Sequence, residues 1–245
     1  MHPCFKKDWN GNAQVLDNNY KKQTKMKKLL LILICCMGVM LCHGQFTRPD
    51  YNAIKKAISN PKSEFYYPKL LERYYAGDTT FTTKESHYLY YGYVYQKEYD
   101  PYDMSDLELR KHLRELPSVS DEDCRELIAM AQEVLKKNPF KVSAFRTIFY
   151  CCDQLDSTEL ATKCSWMQRT FAIAIIESGN GKEPSSAFYV NEVEHEYFLL
   201  SLFDLTPGGQ SLQVINNEHY DVMEVDENDY KIEKLYFNLK SFSIK

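Results

Sequence analysis

The stretch from Ser120 to Asn138 constrains the fold more than any other part of the chain. Cys124, Leu127, Ile128, Ala131, Val134 and Leu135 recur at helical spacing, so a helix carries them as one apolar stripe. Ser120-x-x-Asp123 supplies a capping box at its start, and Asn138-Pro139 stops it. A helix that is apolar on one side has to bury that side against a neighbour. Two neighbours follow. Val142 to Leu155 reads as helical, and Asp156-x-x-Glu159 caps a long helix running to Ser178-Gly179. Two helices joined at Lys-Asn-Pro-Phe, then a third after a short polar turn, is how tetratricopeptide-like arrays are built. The 34-residue period of such arrays is not clean here, so the pattern predicts a repeat-like helical layer.

Further helices precede it. Pro49 to Asn60 places Ile54, Ala57 and Ile58 on one face and ends at Pro61. Ser63 opens a second helix through Tyr75, closed by Gly77. Thr82-x-x-Glu85 is another capping box, which predicts a helix over Lys84 to Glu98, although the all-round apolar run His87 to Tyr95 also suits a buried strand. Asp100-Pro101-Tyr102 is a turn, and Ser105-x-x-Glu108 starts a helix that ends before Pro117. After Gly179-Asn-Gly181 the pattern changes. Ala187 to Val193 reads as a strand and Glu194 to Leu205 as a short helix. Pro207-Gly208-Gly209 reads as a turn, followed by period-two alternation in Ser211 to Ile215, Tyr220 to Val225 and Tyr230 to Leu239, with Asp226 to Asp229 as a hairpin loop. The expected fold class is α+β, with an antiparallel helical array over 45–179 and a small antiparallel β element over 180–245.

A second pattern concerns location. Met26-Lys27-Lys28 leads into fourteen largely apolar residues, Leu29 to Cys42, then His43-Gly44-Gln45. A cationic start, a short apolar core and a small residue before the cut make a secretory leader. The run is shorter than the about 20 residues a membrane span needs. The expectation is a signal peptide over 26–44, cleaved before Gln45, and a periplasmic or extracellular protein. Lipidation at Cys42 is the weaker alternative, because Leu41 is bulky where a small residue is usual. Residues 1–25, polar and lysine-rich, then read as an upstream extension ahead of a natural start at Met26.

Removing residues 1–44 takes seven basic and two acidic side chains from the chain's 30 and 34, leaving 23 and 32, a net of −9. That balance argues against nucleic acid, whose binding depends on neutralising phosphates. Four cysteines remain: Cys124, Cys151, Cys152 and Cys164. An exported chain permits disulfides, but adjacent Cys151 and Cys152 point in different directions on a helix, so at most one is expected to face Cys124 or Cys164. Buried free thiols are the plainer reading.

Twelve of the nineteen tyrosines fall between Tyr51 and Tyr102. A flat apolar body with a polar tip suits either a glycan or protein contact surface or the core of a small helical unit. On the first reading, the candidate binding residues are Tyr66, Tyr67, Arg73, His87, Tyr90, Tyr91 and Tyr93. Glu192-Val-Glu-His195-Glu196 is the densest titratable cluster. Glu192 and His195 share the spacing of bundle di-metal sites, but such sites need two copies plus two more carboxylates, so no metal ligand is assigned. Ser59-x-x-Lys62 lacks a Lys-Thr-Gly partner, and Gly179-Asn-Gly-Lys182 lacks the first glycine and hydroxyl of a phosphate loop. No catalytic residue and no cofactor follow from the motifs.

Ser63-Glu-Phe-Tyr-Tyr-Pro-Lys-Leu, Gly77-Asp-Thr-Thr, Leu89-Tyr-Tyr-Gly and Tyr99-Asp-Pro-Tyr, with Ala187-Phe-Tyr-Val190, Glu196-Tyr197, Gly209-Gln210 and Tyr236-Phe-Asn238, resemble a Bacteroidetes family, domain of unknown function 4919. The resemblance spans roughly Tyr51 to Leu239. It implies an exported protein of gut-type bacteria with a tetratricopeptide-like part, and it carries over no catalytic residue. The functional expectation is a non-enzymatic module of the cell envelope that binds a protein or glycan, with no nucleic acid and no transmembrane span in the mature chain. The alternative is a hydrolase of envelope polymers using paired carboxylates: Glu192, Glu194 and Glu196, or Asp78 with Glu85.

Overall fold

The computed structural model describes residues 46–244; the expected leader and the extension before it lie outside the described residues. Among the described residues, eight α-helices and a four-stranded sheet make an α+β fold, the helical part mostly preceding the strands. The first helix, α1 (Tyr51–Ile58), starts where the Asp50 carboxylate accepts the N–H groups of Asn52 and Ala53. Helix α2 (Tyr67–Ala76) begins later than the Ser63 expected, because Pro68 fits only the first helical turn. It ends on Gly77, whose φ of +74° is the left-handed C-cap conformation. Helix α3 (Thr83–Gly92) has the Thr82–Glu85 capping box. It tightens into a 3-10 turn over Tyr93–Tyr95 rather than continuing to Glu98.

Helix α4 (Leu107–Glu115) is followed by α5 (Asp121–Lys137), opened by the Ser120–Asp123 capping box. Then come α6 (Val142–Gln154) and α7 (Thr158–Ile176). The start of α7 differs from the expected box: Asp156 takes a positive φ of 51°, and Ser157 stands at the cap without a side-chain bond. Helices α5, α6 and α7 pack in sequence order, and α3 lies against α1, α2 and α7. No helix of the described residues is long and apolar enough to cross a membrane.

The C-terminal region holds β1 (Phe188–Tyr189), helix α8 (Val193–Leu202), β2 (Pro207–Ile215), β3 (Glu218–Val225) and β4 (Lys234–Asn238). Strand order is β1-β4-β3-β2. The expected antiparallel element is corrected in one respect: β1 runs parallel to β4, which makes the sheet mixed. Two strands depart from expectation. The segment after Ala187 pairs for only two residues, and the Asn191 N–H goes to the Tyr90 hydroxyl at 2.9 Å. Pro207 to Gly209 is not a turn but the bulged start of β2, with a register shift against β3 between Pro207 and Gln210.

One continuous core joins the helices to the inner face of the sheet through Phe188, Met223, Leu235 and Phe237. A smaller cluster of Ala187, Tyr220, Val222 and Tyr236 covers the other face. The crossing into the sheet needs glycine. A Cβ on Gly179 would lie 2.3 Å from the carbonyl oxygens of Ser186 and Ala187.

The tyrosines build this core. Tyr67, Tyr90, Tyr91 and Tyr93 are buried, and so is His87. Five of the seven candidate contact residues therefore face inward and offer no surface. Several tyrosine hydroxyls of this core are spent on backbone carbonyls. Tyr75, Tyr93 and Tyr74 donate to the carbonyls of Leu135, Lys137 and Pro139 at 2.6, 3.2 and 2.9 Å. Those are the carbonyls a helix end leaves unsatisfied, so the tyrosine helices cap α5 from the side. Tyr91 donates likewise to Tyr189 and Ala174. Tyr74, Tyr75, Tyr91 and Tyr93 thus each bury a ring and satisfy a backbone carbonyl at once.

Candidate functional site

The chain between α5 and α6, Asn138-Pro139-Phe140-Lys141, is the hub of a buried polar seam. Opposite it stands the acidic segment Asn191 to Glu196 at the start of α8. Lys141 Nζ lies 3.3 Å from Asp103 Oδ2, 3.3 Å from Glu192 Oε2 and 3.6 Å from Glu194 Oε1. It also donates to the Asp103 carbonyl at 2.8 Å. The Asn138 amide donates to Glu192 Oε1 at 2.6 Å and to Asp103 Oδ2 at 3.1 Å. Glu194 Oε1 accepts the Val142 N–H at 3.0 Å. Helix α6 has no cap of its own, so Glu194 caps it from another element. Asp106 adds a flanking pair, bonding Ser143 at 2.6 Å and Arg110 at 2.9 Å.

Burial and charge oppose each other here. Burial pushes the Glu192 carboxyl up to about 7, with Lys141 and Asn138 pulling it back. Burial also raises Glu194, aided by the charge of Glu192. For Lys141 burial works against the ammonium, but the attraction of Glu192, Glu194 and Asp103 outweighs it and holds the pKa above the usual lysine range. A buried lysine among three carboxylates is a costly arrangement unless every hydrogen bond is made, and here they are made.

His195 completes the seam. Its Nε2 faces the Phe140 carbonyl at 3.1 Å and its Nδ1 faces the Tyr90 hydroxyl at 2.8 Å. A carbonyl only accepts, so Nε2 carries the proton and Nδ1 accepts from Tyr90. Tyr90 in turn accepts the Asn191 N–H. Burial pulls the imidazole down to about 4, so it is neutral. Donor atoms of Glu192, Glu194 and His195 lie within 4.8 Å of one another, a spacing a divalent ion accepts. The Lys141 ammonium already supplies the positive charge there, and both imidazole nitrogens are engaged. The geometry therefore fits an internal clamp and not a coordination site.

A second centre lies between α8 and the sheet. Gln210 on β2 donates to Asp221 Oδ2 on β3 at 2.7 Å and to Glu196 Oε2 at 3.3 Å, and accepts from the Tyr197 hydroxyl at 2.8 Å. Glu196 is fully buried, and burial with the nearby Asp221 charge pushes its carboxyl up to about 10. Its Oε1 faces no donor. Burial and the Asp221 charge both favour the neutral acid, so Glu196 keeps its proton in the folded protein. Gln210 thereby buckles β2 to α8.

Beyond this buckle the outer strand of the β2–β3 hairpin is exposed, while β3 stays paired with β4. Residues 211–214 are exposed on both faces of the strand, with Leu212 63% and Val214 62% exposed. Both lie on the face that carries Gln210, and β2 forms the sheet edge. The tip is a two-residue turn with Asn216 and Asn217 at φ of 52° and 63°, the left-handed pair a type I′ hairpin requires.

The remaining candidates are elsewhere. Tyr66 is half-buried at the start of α2. Arg73 is half-buried; its Nε meets Asp78 at 2.7 Å and its Nη1 pairs with Glu85. That ion-paired bridge ties Asp78 and Glu85 to one guanidinium rather than opening a cleft between them. Among the expected carboxylates, Glu192 and Glu194 join the Lys141 seam and Glu196 the Gln210 buckle. Sequence reasoning missed Lys141, Asn138, Gln210 and Asp221. Asn138 and Lys141 sit in the helix-stopping joint, but no spacing ties them to Glu192, more than 50 positions away; Gln210 lies in one of the family-like blocks, 14 and 11 positions from Glu196 and Asp221. The Asn-Asn pair between two alternating strands was a readable signal for the hairpin tip.

Residues 52–244 match the model of a family described as "Domain of unknown function (DUF4919)". No curated protein matches the chain, and no solved structure does.

Proposed function

The chain belongs to the DUF4919 family, and from that premise we propose that it is a non-enzymatic binding module of the bacterial cell envelope, exported by the leader over 26–44. Its contact surface is the β2–β3 hairpin, not the tyrosine helices. The observation that carries this reading is the edge strand Pro207–Ile215, which is uncharged throughout and exposes Leu212 and Val214. Edge strands of soluble proteins ordinarily guard their free backbone groups with charge. An unguarded edge suits an extended segment of a protein partner that adds as a further strand. The antiparallel run of α5, α6 and α7 behind it supports the tetratricopeptide-like description, and the leader and family-like blocks support a Bacteroidetes-type envelope protein.

The test is a pull-down from envelope extract with the mature chain, run beside Leu212→Lys/Val214→Lys. A partner held by the first and lost by the second is the expected result. An identical set on both, or none on either, overturns the reading.

The hydrolase alternative rests on the neighbouring carboxyl groups of Glu196 and Asp221, of which Glu196 is held neutral by burial. Both lie under Gln210 and Tyr197, which suits a buckle better than a reacting centre. Turnover of an envelope polymer that disappears in Glu196→Gln would reverse the preference.

A further inference from the structure

Adjacent cysteines on one helix ordinarily look in different directions, and on α6 one of the two, Cys151, meets another cysteine. Cys124 in the first turn of α5 donates through Sγ to Gln154 Oε1 at 3.2 Å. Gln154 lies one turn beyond Cys151, so Cys124 sits over the α6 face that Cys151 occupies. The Cys124 and Cys151 thiols interact directly. Cys152, rotated around the helix, lies near Cys164 on α7 without such a contact. All four are buried.

We propose that Cys124 and Cys151 are a cystine site, joined when the chain folds in an oxidising compartment, so that a covalent bond locks the open end of the α5–α6 hairpin. The proposal rests on the export reading above for its setting, and on the helix geometry for the choice of pair. The two ends of this hairpin are held differently. At the Asn138-Pro139 end the polar seam clamps the helices. At the Ser120–Gln154 end the hold is the Cys124–Gln154 bond and a bond from the Gln154 amide to the Val119 carbonyl. A cross-link has most to add there.

The chemistry balances by thiol–disulfide exchange with a disulfide oxidant. One cysteine thiolate attacks the oxidant, forming a mixed disulfide and releasing one thiol. The second attacks the mixed disulfide, forming the Cys124–Cys151 bond and releasing the other thiol. The protein loses two protons and two electrons, and the oxidant's disulfide is reduced to two thiols. Burial raises both thiols in the closed hairpin, so exchange takes place before α5 and α6 have closed.

The experiment refolds the purified mature chain in a mixture of reduced and oxidised glutathione. Free thiols are then alkylated under denaturing conditions and the peptides mapped by mass spectrometry. The expected product links Cys124 to Cys151 and leaves Cys152 and Cys164 alkylated. Its Tm falls on reduction by about 5–10 °C. Cys152→Ser/Cys164→Ser keeps the cross-link and the shift, and Cys124→Ser loses both. Four alkylated thiols, or any other pairing, overturns the proposal. Fractionation of cells separately reports export, so a cross-link in vitro in a protein that stays in the cytoplasm would sink the export reading and leave the geometry standing.

Discussion

The seam around Lys141 and the hairpin beyond Gln210 are both rich in polar groups, and they use them in opposite ways. In the seam nearly every donor finds an internal acceptor: Lys141, Asn138, His195 and Tyr90 are all engaged within the protein. On the outer edge of β2 the backbone groups face solvent, and the side chains above them carry no charge. Closed polar networks fix one arrangement of the elements that meet in them. Open ones leave hydrogen-bonding capacity for something else. The comparison separates the part that holds the fold from the part left open, and it explains why the densest cluster of titratable residues has little bonding capacity to spare.

The sharpest way to break the comparison is Lys141→Met. It leaves Asp103, Glu192 and Glu194 together without their cation, and removing one partner of a buried ion cluster costs about 3–5 kcal/mol. Urea unfolding at pH 7 should show a loss of that size, shrinking toward pH 5 as Glu192 takes up a proton. Tyr90→Phe comes next. It strips the partner from His195 Nδ1 and from the Asn191 N–H, for an expected loss of about 1–3 kcal/mol in the same assay.

Glu196→Gln tests the buckle through pH. The Glu196 carboxyl titrates near 10 in the folded protein against about 4.3 in an unfolded chain. The folded state therefore holds a proton that the unfolded state has released. The stability tied to it is fully present below the unfolded value and is lost as pH rises toward 10. Glu192, near 7, adds a loss of the same sign that ends earlier. An amide at 196 copies the neutral acid, so Glu196→Gln should flatten the decline and raise stability at pH 9 by about 1–3 kcal/mol. A decline unchanged in the variant would show that Glu196 holds no such proton. The smallest effect belongs to the arm. Leu212→Lys should alter stability by no more than about 0.5 kcal/mol, as exposed substitutions do, while abolishing partner capture. A large loss of stability there would mean the hairpin is part of the fold's support.

Much of the helical layer was legible. Where a capping side chain lies three residues from its partner, as at Thr82–Glu85 and Ser120–Asp123, the signal and its cause are in the same short stretch, and the element follows. Strand direction was not legible in that way. The parallel β1–β4 pair depends on a crossing that only Gly179 permits, through contact with backbone seven and eight positions on. The tyrosine cluster was visible as composition, but whether a ring faces solvent or a helix end depends on where α5 terminates in space. Tyr74 and Tyr75 reach carbonyls about 60 residues away. The polar seam was hidden for the same reason. Lys141 is an unmarked residue just before a helix in sequence, and only the packed fold sets it against Glu192 and Glu194.

The imidazole of His195 is held at both nitrogens by groups from two other parts of the chain, Tyr90 and Phe140. Its ring cannot turn over or change tautomer without opening both contacts. The Nε2 proton is therefore sealed from solvent and should give one slowly exchanging downfield resonance in an NMR spectrum. That line is an internal gauge. It reports in a single observation whether helix α3, the α5–α6 joint and helix α8 are still assembled, whatever the rest of the molecule is doing.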